Sequence, residues 1–128
     1  MRLRASIPLV RAGLAEVFPD IRGTVEPMPS VMQVLLPSGV GAITLGSRVF
    51  VRPDLFDAVA AGDEPKLLAH EMIHVRQWRA LGAIGFLAPY LTDYVRLRLI
   101  GCDHDTAYRH IRFEWSAYSS ADRIVPTR

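Results

Sequence analysis

Two histidines four positions apart, with a glutamate directly after the first, make His70-Glu71-Met72-Ile73-His74 the chemically richest segment of the chain. On an α-helix, residues four apart lie nearly one above the other, so both imidazoles can reach a single ion. Glu71 is turned about 100° from His70. That is too far to join as a ligand of the same geometry, but it suits a carboxylate that reaches a water on that ion. Two neutral imidazoles plus an open position fit zinc, and the adjacent carboxylate fits a general base. The flanking residues Leu67, Leu68, Val75, Trp78 and Leu81 are apolar around most of the helix, which predicts a helix central to the core. Buried there, two imidazoles and a carboxylate are costly unless hydrogen bonds or a metal satisfy them.

A third ligand is needed. Cys102 is the one cysteine, which excludes a disulfide framework and a multi-cysteine zinc site, so His, Asp or Glu must supply it. The extended metzincin pattern would put Gly at 77 and His at 80. Gln77 and Ala80 stand there instead, which excludes that class. Downstream, Asp103, His104, Asp105, His110 and Glu114 remain. Glu114 is favoured because it lies between Phe113 and Trp115, with Ala117 and Tyr118 following. The competing reading gives it to solvent or to a pair with Arg112.

These residues need a frame. Pro8 to Phe18 has helical apolar spacing and ends at Pro19. Val31 to Leu36 reads as a strand, followed by the turn Pro37-Ser38-Gly39. Val40 to Leu45 and Arg48 to Val51 read as strands joined by a tight hairpin at Gly46-Ser47. Pro53 to Ala60 fits a short helix. Asp63 can cap the helix of the motif, which should run to Leu81 and stop at Gly82. Phe86 to Ile100 and Thr106 to Ile124 complete the helices, the last with a break near His110 to Arg112. The expectation is an α+β fold: a small antiparallel sheet of about three strands packed on a mainly helical, zincin-like domain. Residues 1–128 are expected to form one domain, with 1–38 as an N-terminal helix and strand and 39–124 as the core. Trp78, Tyr90, Tyr94 and Leu97 read as core. The apolar stretch Gly82 to Leu91 reads as a buried helix–helix connection, with a cleft loop or membrane contact as the lesser alternatives.

The chain has 128 residues, half of them hydrophobic and 22% charged, as in packed globular domains. Its net charge is +2. The basic residues, fourteen Arg and Lys66, are scattered, which argues against a nucleic-acid footprint. No targeting segment is recognisable, so the expected location is the cytoplasm.

The run from Ala42-Ile43-Thr44-Leu45-Gly46, through His70 to His74, to Ala107-Tyr108, Phe113-Glu114 and Ala117-Tyr118 resembles small bacterial HExxH metallopeptidase domains of the gluzincin type. The resemblance implies a zinc hydrolase. His70, His74 and Glu114 would be the ligands, and Glu71 the base that activates a zinc-bound water against a peptide bond. It also implies that a strand within Ala42 to Val51 lines the cleft, where an extended peptide or protein substrate can pair with its edge. Thermolysin-type gluzincins carry an acid four residues after the ligand glutamate, to orient a zinc histidine. Here that position is Tyr118, a weaker acceptor, with Asp122 as an alternative. Tyr108, His110, Arg112 and Tyr118 are candidate oxyanion donors. The leading expectation is therefore a zinc metallopeptidase with Glu71 and Tyr118 as catalytic residues. The alternatives are a non-catalytic zinc-binding docking module and a partner- or membrane-binding protein that uses the 82–91 patch.

Overall fold

A computed structural model describes residues 1–37 and 39–125. The architecture is α+β, as expected. Among the described residues it has four strands, β1 (Leu3–Arg4), β2 (Thr24–Pro27), β3 (Ala42–Leu45) and β4 (Arg48–Val51). The helices are α1 (Ser6–Arg11), α2 (Ser30–Leu35), α3 (Pro53–Ala61), α4 (Pro65–Leu99), α5 (His104–His110) and α6 (Arg112–Ile124).

The sheet is mixed, in the order β1-β2-β4-β3. β1 and β3 run antiparallel to their neighbours, and β2 runs parallel to β4. This corrects the expected all-antiparallel sheet. The segment Thr24–Pro27 is missing from the expected sheet because it is only four residues long and closes on a proline, a residue that speaks against an interior strand. Arg48 forks onto Glu26 with two 2.8 Å bonds, and Thr24 donates at 2.7 Å, so the buried charge on the sheet face opposite Val25 is not orphaned. The expected strand over Val31 to Leu36 is helix α2 instead. Its first residue follows Pro29, which is extended. Val31, Val34 and Leu35 are exposed, so the apolar run is not a buried strand. The Gly46-Ser47 hairpin forms as expected. Leu45 pairs with Arg48, and Gly46 alone takes a positive φ, +66°, the pattern of a turn with Gly at its first central position.

The N-terminal helix is shorter than its apolar spacing suggests, ending at Arg11. Leu14, Phe18 and Ile21 still enter the core from the irregular segment that follows. They pack with Leu9, Val25, Val49, Val59, Leu68 and Met72 between the sheet and the first half of α4. Gly82 interrupts α4 with φ 73° and ψ 175°, so the chain redirects there and continues at once as a second helical half. The connection expected over 82–91 is thus helix. Phe86 points inward, and Ile84, Leu87 and Leu91 are exposed. No helix among the described residues is long and apolar enough to cross a membrane. The anticipated break in the last helix falls at Ile111, between α5 and α6.

Candidate metal centre

The first half of α4 is buried at every position from Leu68 to Val75, because the sheet covers one face and α6 the other. His70, Glu71 and His74 are each at most 6% exposed. Glu114 enters from α6 and is 3% exposed. Asp93, on the second half of α4, fixes the start of α6. Its carboxylate accepts both the Arg112 guanidinium, at 2.8 and 2.9 Å, and the Arg112 backbone N–H, at 3.0 Å. The bond from Arg112 holds the Asp93 carboxyl below its ordinary value against the opposing effect of burial. Arg112 is thereby occupied, so neither the competing pair with Glu114 nor an oxyanion role falls to it.

The three expected ligand atoms converge. His70 Nε2 lies 2.9 Å from Glu114 Oε1, His74 Nε2 lies 3.0 Å from the same oxygen, and the two nitrogens are 3.2 Å apart. Ligands about 2.0–2.1 Å from a tetrahedral ion are separated by about 3.3 Å, so this triangle has nearly the size of one face of a zinc site. Among the described residues it is the one group of three or more His, Cys, Asp or Glu that could hold a metal. Of the other third-ligand candidates, His104 bonds Tyr94 through Nδ1 at 3.0 Å and Asp103 caps α5. His110 is exposed and bonds Thr106 O.

Proton bookkeeping sharpens the fit. Gln77 Nε2 donates to Phe113 O at 3.2 Å, which turns the amide oxygen toward His74 Nδ1, 2.7 Å away. That nitrogen must therefore carry hydrogen, and in the neutral ring Nε2 presents a bare lone pair to the Glu114 oxygen. Two acceptors cannot face each other at 3.0 Å without a cation between them, either a proton or a metal. In the protein alone the proton takes this place. Burial pushes the His74 pKa down, but the Glu114 hydrogen bond and the charges of Glu71 and Glu114 raise it to about 9. Burial pushes the Glu114 carboxyl up, and the bonds from His70 and His74 outweigh it and hold it well below the usual carboxylate range.

Second contacts complete the site. Tyr90 donates to Glu114 Oε2 at 2.6 Å, so Oε1 alone faces the imidazoles. Burial, then the Glu114 charge, raises the Tyr90 phenol far above its ordinary value. Thr44, buried on β3, donates to Glu71 Oε2 at 2.7 Å. Tyr118 packs the edge of its ring on His70, with centroids 4.4 Å apart. It does not replace the acid of thermolysin-type sites, since its hydroxyl makes no hydrogen bond among the described residues. Asp122 pairs instead with Lys66. The orienting acceptor for His74 is Gln77, a position read in the sequence only as excluding metzincins.

Two cavities meet at Glu71. One, of about 260 Å³, is lined mainly by apolar groups, including Leu45, Trp78, Phe86 and Tyr90. The other, of about 300 Å³, is more polar and includes Lys66, Arg109 and Tyr118. Tyr108 and His104 line both. Trp78, Tyr90 and Tyr94 are thus cleft walls more than core. Phe86 stacks with Trp78, Tyr90 and Phe113.

The family model of the eCIS core domain, a domain of extracellular contractile injection systems, matches residues 18–82, just over half of the chain. The chain belongs to the eCIS core domain family. The matched segment runs from Phe18 through β2, β3 and β4 and the HExxH half of α4 to Gly82. Glu114, Tyr90 and Tyr118 lie beyond it. No curated protein and no solved structure matches the chain.

Proposed function

We propose that this eCIS core domain is a zinc-dependent peptidase of gluzincin-like design, acting on a protein within or beside a multi-protein injection assembly. The observation that carries the reading is the convergence of His70 Nε2, His74 Nε2 and Glu114 Oε1, with a His74 tautomer that demands a cation. Zinc bound there would supply Lewis-acid polarisation and a water of lowered pKa.

The chain's own residues do the rest. Gln77 keeps the His74 lone pair directed inward, and Tyr90 keeps Glu114 presenting one oxygen. Glu71 is anchored through Oε2 by Thr44 and holds Oε1 ready to take a proton from an attacking water and return it to a leaving amine. Tyr118 and Tyr108, both beside Glu71, are the phenols available to a developing oxyanion. Burial, then the Glu114 charge, raises both above the ordinary tyrosine range, so both remain donors at neutral pH.

β3 supplies the rail for substrate. It ends the sheet, and Gly41 and Arg52 are bonded opposite each other. By the alternation of antiparallel pairs, Ile43 is then bonded inward, and Ala42 and Thr44 turn their backbone N–H and C=O to the free edge. An extended peptide can pair there and cross the site.

The test is metal analysis and hydrolysis of a peptide library by the wild-type chain, Glu71→Gln and Glu114→Ala. About one zinc per wild-type chain is expected. Glu114→Ala should lose most of it, whereas Glu71→Gln should keep the zinc and lose hydrolysis. Zinc binding without hydrolysis of any peptide would instead identify a non-catalytic zinc docking module.

A further inference from the structure

A roomy cavity lies outside the metal centre. Its volume is about 890 Å³, and it sits between the segment Pro19–Arg22, the hairpin residues Gly46 and Ser47, and the end of the first half of α4. Trp78 is the wall it shares with the apolar cleft. Along the chain, Leu45 lines the cleft and Gly46 lines this cavity, so β3 leads from one into the other.

The charge of this cavity is one-sided. Asp20 is the one carboxylate among the described residues that line it, and it is already engaged. Arg79 reaches it at 3.2 Å and Arg76 at 3.5 Å. Arg22 lines the same cavity and is exposed. It makes no hydrogen bond or ion pair among the described residues. The lining therefore holds one carboxylate and two guanidinium groups, and because Arg79 and, from outside the cavity, Arg76 already engage Asp20, Arg22 is left over. A planar guanidinium fork takes a carboxylate with two parallel bonds.

We propose that this cavity is a distal subsite that receives an acidic side chain, or the terminal carboxylate, of a polypeptide lying along β3. The inference rests on the proposed reading in needing a peptide at that edge. An extended chain rises about 3.3 Å per residue, and the path from Thr44 to Ser47 covers three residues. The acidic residue therefore falls about two to five positions from the one seated against Phe86 and Trp78. The substrate class is a polypeptide with an apolar residue and an acidic residue at that separation, on one side of the bond that crosses Glu71.

The experiment measures fluorescence anisotropy of labelled ten-residue peptides on the Glu71→Gln chain with zinc present, which separates binding from cleavage. Each peptide carries one Phe and a Glu, Gln or Lys two to five residues away on either side. At one offset the Glu peptide should bind roughly three- to tenfold tighter than its Gln counterpart at low salt, with the advantage shrinking as salt is raised. Arg22→Ala should remove the advantage, Arg22→Lys should restore part of it, and Arg22→Glu should favour the Lys peptide. Equal binding at every offset, an advantage that survives Arg22→Ala, or no binding by any peptide would overturn the subsite. Wild-type hydrolysis of the same peptides is followed in parallel. Cleavage without a Glu preference removes the subsite and leaves the peptidase; a Glu preference without cleavage does the reverse.

Discussion

Gln77→Leu tests the reasoning about the metal centre without touching a ligand. The substitution keeps the approximate volume of the side chain, one atom shorter, and removes the acceptor 2.7 Å from His74 Nδ1. Two costs follow. The net hydrogen bond is worth about 0.5–1.5 kcal/mol, and a buried N–H left without a partner costs about 1–3 kcal/mol. The second cost can be escaped by moving the hydrogen to Nε2, but that blocks the nitrogen that must bind metal. Either way the loss appears in metal affinity, and roughly 10- to 100-fold weaker zinc binding is expected, the usual range for an outer partner of a ligating histidine. Chelator-competition titration of the purified chain reads this directly. Gln77→Glu is the complement: a carboxylate at the same place accepts more strongly and should hold or raise the affinity. Unchanged zinc affinity in Gln77→Leu, with the fold intact by circular dichroism, would refute the assignment of the His74 tautomer and with it the need for a cation at the centre.

Tyr90→Phe removes the 2.6 Å bond to Glu114; zinc affinity should fall several-fold and thermal stability by about 1–2 kcal/mol, as read by chelator competition and calorimetry. Glu26 is held at about 2, chiefly by its hydrogen bond from Arg48 against opposing burial, with Thr24 and the Arg2 charge assisting. Because its folded pKa is depressed, its contribution is complete above the unfolded value near 4.5 and fades as pH falls toward 2. Glu26→Gln should therefore cost about 2 kcal/mol at pH 7, allowing for the half-exposed Arg48, and should flatten denaturant-measured stability across that acid window. Gly23→Ala would place a Cβ 2.3 Å from the Ser47 carbonyl oxygen, which also accepts the Thr24 N–H. The melting temperature should drop by roughly 5–15 °C, and a drop under two degrees would show that the hairpin yields.

What could be read from the sequence follows the range of the interactions concerned. His70, Glu71 and His74 are neighbours on one helix, so their relation is local, and four-residue spacing suffices to show it. Glu114 was reachable by elimination among later His, Asp and Glu residues, helped by its aromatic neighbours. Thr44 and Tyr90 act on the site only through tertiary contacts, from a strand and from the far half of α4, and nothing in their local pattern marks them. Gln77 lies one turn beyond His74, but its role depends on where Phe113 presents a carbonyl. The error at Val31 to Leu36 came from equating β-branched apolar residues with burial. Exposed on α2, those side chains leave local backbone preference and the start after Pro29 to decide. β2 is hard to read for a different reason, since it has four residues and closes on Pro27, and its buried Glu26 is tolerated only because Arg48 arrives from the strand beside it.

The half of α4 that presents the imidazoles and the half that presents Tyr90 and Asp93 meet at one amino acid. Gly82 has no neighbouring atom within 4 Å of where a side chain would begin, so room is not what reserves the position. Its dihedrals, φ 73° and ψ 175°, belong to a region that only an achiral residue occupies at little cost. The constraint is one of handedness: a chemically synthesised chain with D-alanine at 82 should keep the bend, whereas L-alanine, with the same atoms in mirror arrangement, should straighten it and pull the two halves of the site apart.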